Sequence, residues 1–237
     1  FRRVLFRSYT DSELNSLSYE EALKKDKRNY SEYYCSLLKS NHLLLFSFYH
    51  TNKDYNSRLI KIDLFLINFT IYYTVNALFF NDNTMHKIYE DEGKFNFIYQ
   101  IPQIIYSSII SGILFAVLKI MALSENIVLD IKHVKNMEEF DEKKKSAFSL
   151  IRIKFIFFFI ISSLVLMMFF YYLACFCAIY KNTQIHLIKD SVISFSLSMI
   201  YPFFIYLMPG IFRISSLKKN SKAKECMYNF SKFLHLL

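Results

Sequence analysis

The stretch that decides the fold is FIFFFIISSLVLMMFFYYLACFCAIY, Phe155 to Tyr180, which contains no charged residue. A bilayer core is crossed by ~20 predominantly apolar residues, with a range of roughly 17–25. This stretch meets that length alone. Working outward, three more stretches approach it: LFLINFTIYYTVNALFF (Leu64–Phe80), FNFIYQIPQIIYSSIISGILFAVL (Phe95–Leu118) and SVISFSLSMIYPFFIYLMPGIF (Ser191–Phe212). All are internal, so none reads as a removable signal peptide.

Composition agrees. Apolar residues make up 54% and aromatics 19%, with only 3 Gly and 3 Pro, too little turn chemistry for an all-β chain. The expected fold is all-α: an integral membrane protein of four transmembrane helices, with an interfacial or cytosolic helical segment before them. The expected organisation is a segment at 9–57, a four-span domain at 58–214 and a basic tail at 215–237. The spans fall at about 62–80, 97–119, 155–180 and 191–213, with a cytosolic helical loop at 124–154.

Lys and Arg in the connections orient the spans. The segment 9–63 carries eight, the loop 81–94 only Lys87 and Lys94, and the loop 124–154 seven. The loop 181–190 carries two and the tail from Arg213 six. This alternation predicts a multi-pass membrane localisation with both termini cytosolic. The formal charge of +9 is thereby explained by topology, and no basic folded module or motif points to nucleic acid. The lipid bilayer is the expected partner, with other membrane subunits or a missing N-terminal part of the same chain as further ones.

Local signals refine the ends. Ser18 and Glu21 have capping-box spacing before a short helix, with Leu17 placed as a staple. Tyr30, Tyr33, Tyr34, Leu37 and Leu38 recur at helical spacing, and Leu43 to Tyr49 is too short to span, so this segment is placed in the interface plane. The central loop is expected to extend span two and turn back at the lysine run 143–145. Pro202 and Pro209 interrupt span four, which static bundles and transporters both tolerate. No sequon falls in the two short outer loops.

Candidate chemistry is sparse. Asp63 and Lys119 lie at similar depth in spans one and two. They could pair or line a vestibule, although solvation of Asp63 and snorkelling of Lys119 is the plainer reading. Asn68, Tyr72 and Asn76 form a polar stripe on span one. Gln100, Gln103, Ser107 and Ser111 form one on span two, and Ser191, Ser194, Ser198 and Tyr201 one on span four. Together, Asp63, Asn68, Asn76, Gln103 and Lys119 mark either a hydrated path or hydrogen-bonded packing helped by Ser108 and Gly112. No metal, cofactor or catalytic constellation is expected. His86 and Glu90, with Asp91 or Glu92, could share a cation, but a solvated acidic loop explains them. Cys35, Cys175, Cys177 and Cys226 lack disulfide or zinc spacing, although Cys226 could carry a lipid. The chain is not expected to be an enzyme.

The stretches DSELNSLSYEEALKKDKRNYSEYYCSLLKSNHLLLFSF, DYNSRLIKIDLFL, NDNTMHKIYEDEGKFNFIYQIPQIIYSSIIS and CFCAIYKNTQIHLIKDSVISFSLSMIYPFFIYLMPGIFRI carry a resemblance. They resemble an uncharacterised multi-pass membrane region at the C-terminal end of large, AT-rich, protist-type surface proteins. The resemblance covers nearly all of 11–237 and implies a non-catalytic anchor for a larger protein. A small channel or transporter subunit, with a polar path between spans one, two and four, is the alternative. Residues 3–8, RVLFRS, translate the end of a widely used sequencing-library adapter. Residues 1–8 are therefore expected not to be native, and the chain to be a fragment.

Overall fold

The computed structural model of the protein describes residues 9–50, 54–94, 96–132, 134, 137–218 and 221–236. The expected adapter remnant at 1–8 lies outside them. The described residues form twelve helices and no strand: α1 (Asp11–Ser16), α2 (Tyr19–Lys25), α3 (Tyr30–Asn41), α4 (Leu43–Phe48), α5 (Arg58–Leu78), α6 (Asp82–Glu90), α7 (Phe97–Ala122), α8 (Glu125–Lys132), α9 (Met137–Ile179), α10 (Gln184–Ile205), α11 (Leu207–Leu217) and α12 (Lys222–Leu236).

Three of these elements are long and apolar enough to cross a membrane: α7, α9 from Glu138, and α10 with α11 as one stretch from Gln184 to Leu217. The span expected at 62–80 falls on α5, which qualifies only when joined to α6 across an 89° bend. Lys61, Asp63, Asn68 and Asn76 dilute its apolar content. The bend follows from a cap: the Asn81 side-chain Oδ1 accepts the Thr84 N–H at 2.9 Å and starts α6 in a new direction.

The turn expected at the lysine run is not there. Residues 143–145 lie inside α9, which begins at Met137. Glu and Lys are good helix formers, and Lys143 pairs with Glu139 one turn back at 2.7 Å. At 43 residues, α9 is about 64 Å long at 1.5 Å per residue, twice the thickness of a bilayer core.

Of the two prolines expected to interrupt span four, Pro202 lies inside the continuous α10 and the helix breaks only ahead of Pro209. Pro209 occupies the first turn of α11, where a missing N–H costs nothing, while its ring cannot follow a helical Ile205. The helix stops at Ile205 and restarts after Tyr206.

The chain divides into two compact units, one Tyr55–Ser198, the other combining Phe1–Asp54 with Met199–Leu237. The sequence reading divides it instead at 57/58 and 214/215. In the first unit α5 and α7 pack along each other and α9 packs on both. Ala77, Phe80, Phe176 and Leu187 form a buried cluster, and the Phe195 ring meets Phe69 and Tyr72 edge-on. Between α6 and α7 the Gly93 N–H donates to Ile88 at 2.9 Å, and Glu92 and Gly93 both take positive φ.

In the second unit α11 packs on α12, α3 and α2. Ser18 caps α2 as expected, and Leu17 joins Tyr19, Ala22 and Tyr228 in a buried cluster. The α3 side chains cover backbone carbonyls along the broken helix. The Tyr34 hydroxyl donates to Phe203 at 2.9 Å and the Tyr30 hydroxyl to Leu207 at 3.2 Å, while a His42 ring nitrogen lies 2.8 Å from the Met199 carbonyl oxygen. These carbonyls recur every four residues, so one helix face meets one stripe. A Cβ on Gly210 would come within 2.8 Å of the Tyr30 ring, so glycine is what lets that ring approach.

Candidate functional site

On α7, polar side chains turn inward and most apolar ones outward. Its buried residues include Gln100, Gln103, Ser107 and Ser111, while Ile105, Ile109, Ile113, Val117 and Ile120 are exposed. On α9 Phe157, Ile160, Leu164, Met167 and Phe170 are likewise exposed. Water penalises this arrangement, and an apolar solvent does not.

The inward groups form a seam shared by α5, α7 and α10. The Gln103 Nε2 donates to the Asn76 Oδ1 at 2.6 Å, and the Asn76 Nδ2 donates to the Ser191 hydroxyl at 2.8 Å. One turn along, the Gln100 Nε2 donates to the Asp190 carboxylate at 2.6 Å. Asn76 is wholly buried, and Asn68, Tyr72, Ser107, Ser111 and Ser194 line the same interior. The Gln100 Oε1 and the Ser107 hydroxyl are buried with no hydrogen-bond partner among the described residues. In so apolar a setting, unmade bonds of this kind are expensive.

The sequence candidates separate into two groups. Asn76 and Gln103 meet, and Asn68 shares their buried face. Asp63 is half-buried on α5, and the charges acting on Lys119 of α7 include Glu125 and Lys61. The two residues lie on helices that pack together. Tyr201, expected on the span-four stripe, is half exposed. Gly112 is exposed, with nothing within 4 Å of a built Cβ, so the Ser108 and Gly112 pair makes no close helix contact. In the acidic segment on and after α6, His86 pairs with Glu90 at 3.2 Å while Lys87 reaches both Glu90 and Asp91. No group of three or more His, Cys, Asp or Glu among the described residues could hold a metal.

Asp190, which the sequence places at the end of the loop 181–190, lies inside α10 and is buried. Its spacing to Leu187, Ser191 and Ser194, all buried, was the signal that it belongs to the inner face.

The second unit holds a charged node that sequence reading also missed, having counted its members as topology charges. Arg213 is fully buried. Its Nε and Nη2 donate to the Asp26 Oδ2 at 3.1 and 2.8 Å, and its Nη2 also to the Leu14 carbonyl at 2.6 Å. The rings of Tyr33 and Tyr228 flank its guanidinium at 4.9 and 4.8 Å. Arg28 approaches the same carboxylate, with Nε on Oδ1 and Nη2 on Oδ2, both at 2.9 Å. Burial pushes the Asp26 carboxyl up, but the Arg28 and Arg213 guanidiniums outweigh it and hold the group below its ordinary value. Burial raises the Tyr33 phenol, tempered by Arg213. A single charge amid the apolar residues Ile211, Phe212 and Ile214 needs a partner, and that was the legible hint.

No protein-family model, no curated protein and no solved structure matches the chain.

Proposed function

We propose that this chain is a non-catalytic, multi-pass integral membrane region with four spans and cytosolic termini, serving to anchor a larger membrane protein. The observation that carries the structural role is that the seam's polar groups bond to one another across helices. Asn76, Gln103 and Ser191 form a direct chain at 2.6–2.8 Å, and Gln100 closes on Asp190. Interhelical bonds of this kind hold spans together at about 0.6–2 kcal/mol each. The inward-polar, outward-apolar faces of α7 and the apolar length of α9 support the bilayer setting. The charge alternation supports the orientation, and the resemblance stated above supports the anchoring context.

A second reading, a small channel or transporter subunit, is favoured by one feature. An ionisable group, Asp190, is buried in the seam beside Gln100, whose Oε1 has no partner among the described residues, and intramembrane carboxylates commonly mark ion pathways. Reconstituting the chain in liposomes and measuring ion flux separates the two readings. With an anchor, the wild type, Asn76→Leu and Gln103→Leu all resist alkaline extraction and show no flux above empty vesicles. Flux in the wild type that either leucine variant abolishes while remaining inserted overturns the anchor.

A further inference from the structure

We propose that α12 is a lipid-seated helix, holding its Phe230 and Phe233 edge in the headgroup–acyl boundary of the leaflet where α11 ends, with the exposed Lys218 and Lys222 at its start on anionic headgroups. This rests on the membrane reading above and adds a docking surface to it. α12 is two-faced. Tyr228 and Ser231 are fully buried against the protein, and the Tyr228 hydroxyl donates to the Leu17 carbonyl at 2.8 Å. The opposite edge leaves Phe230 and Phe233 about half exposed, one turn apart.

Two observations identify the occupant of that edge. The Phe230 ring stands edge-on against Phe212 at 5.2 Å, and Phe212 belongs to α11, whose Met208 and Ile211 are also about half exposed. The apolar edge of α12 therefore continues the outer surface of a stretch long and apolar enough to cross a bilayer. Charge gives the second. Between 214 and 237 the chain carries Lys218, Lys219, Lys222, Lys224 and Lys232 against one acid, Glu225; Lys224 and Lys232 turn inward to the Ser215 and Ser16 carbonyls at 2.6 and 3.0 Å, while Lys218 and Lys222 are exposed. A basic helix with a phenylalanine edge matches an anionic lipid surface, where lysines draw the helix down and aromatic rings enter the boundary. A soluble protein partner would have to cover the α12 edge while stopping abruptly at the continuous apolar surface of α11.

The chain has no tryptophan, so one introduced indole reports alone. Phe230→Trp and Phe233→Trp, each in the full chain, are reconstituted in phosphatidylcholine vesicles with and without phosphatidylserine, using doxyl-labelled lipid and aqueous iodide as quenchers. Met167→Trp, on the exposed side of α9, is the reference. The expected result is blue-shifted emission at 230 and 233, quenched by shallow doxyl lipid and more so with phosphatidylserine, while iodide has little effect. If the residue 167 indole is lipid-quenched but those at 230 and 233 are quenched by iodide alone, this inference fails and the membrane reading stands. Shielding from both quenchers at 230 and 233 would put a protein surface there and also overturn it. If the residue 167 indole escapes lipid quenching, the membrane reading falls and this inference with it.

Discussion

Removing Asp26 is predicted to damage the second unit more than removing Arg213, although the two are partners. In the wild type the carboxylate faces two guanidiniums, at 2.8 Å to Arg213 and 2.9 Å to Arg28, and its side chain is 1% exposed. Arg213→Met leaves Asp26 its Arg28 fork, so the buried carboxylate stays compensated. The lost part is two bonds to Asp26, one to Leu14 and the stacking on two tyrosines, about 2–3 kcal/mol after the gain from burying a methionine. Asp26→Asn leaves Arg213 buried with no counter-charge, only neutral acceptors at residue 26 and Leu14 and the ring faces, near a second cation, and breaking a buried pair this way costs about 3–5 kcal/mol. The double variant, Asp26→Asn with Arg213→Met, should recover about 1–3 kcal/mol of the summed loss, because the uncompensated cation is gone. Amide hydrogen exchange of α2 and α12 in detergent or nanodiscs reads all three. Equal loss of protection in the two single variants, or strict additivity in the double, would refute the argument that charge compensation holds the termini to α11.

The same node gives a pH dependence. The folded Asp26 carboxyl lies below its ordinary value of 3.8, so the unfolded chain takes up the proton first. Its contribution is full above that value and fades as pH falls through the depressed folded one; exchange protection of α2 should drop there in the wild type and not in Asp26→Asn. At the alkaline end the raised Tyr33 phenol contributes stability that is full below its ordinary value of 10 and declines as pH rises through the folded one, a loss Tyr33→Phe should remove. Gly210→Ala should destabilise α11 by about 1–3 kcal/mol through overpacking, since its Cβ meets the Tyr30 ring at 2.8 Å, and Tyr30→Ala in the same chain should reduce that penalty; an undiminished penalty would point to backbone conformation instead. Tyr34→Phe removes the hydroxyl from the Phe203 carbonyl and should cost about 1 kcal/mol, seen as faster exchange around Tyr206 with α3 itself unchanged.

What the sequence determined by itself was the all-helical class and the stretches long and apolar enough to cross a membrane. Uncharged runs, helical spacing and scarce glycine need no partner to be read, because they act through local geometry and length. The polar stripes on α5 and α7 were visible for the same reason, and both Asn76 and Gln103 were identified from spacing alone. Tertiary structure decided which polar groups meet. Asp26 and Arg213 are separated by 187 positions, so the apolar surroundings of Arg213 call for a partner without saying which residue supplies it. Depth along a span fixes one coordinate of a side chain, and rotation of each helix about its axis fixes the rest. That rotation is set by the packing of all neighbouring helices at once, which turned Asp190 toward Gln100 and left Gly112 and Tyr201 facing out.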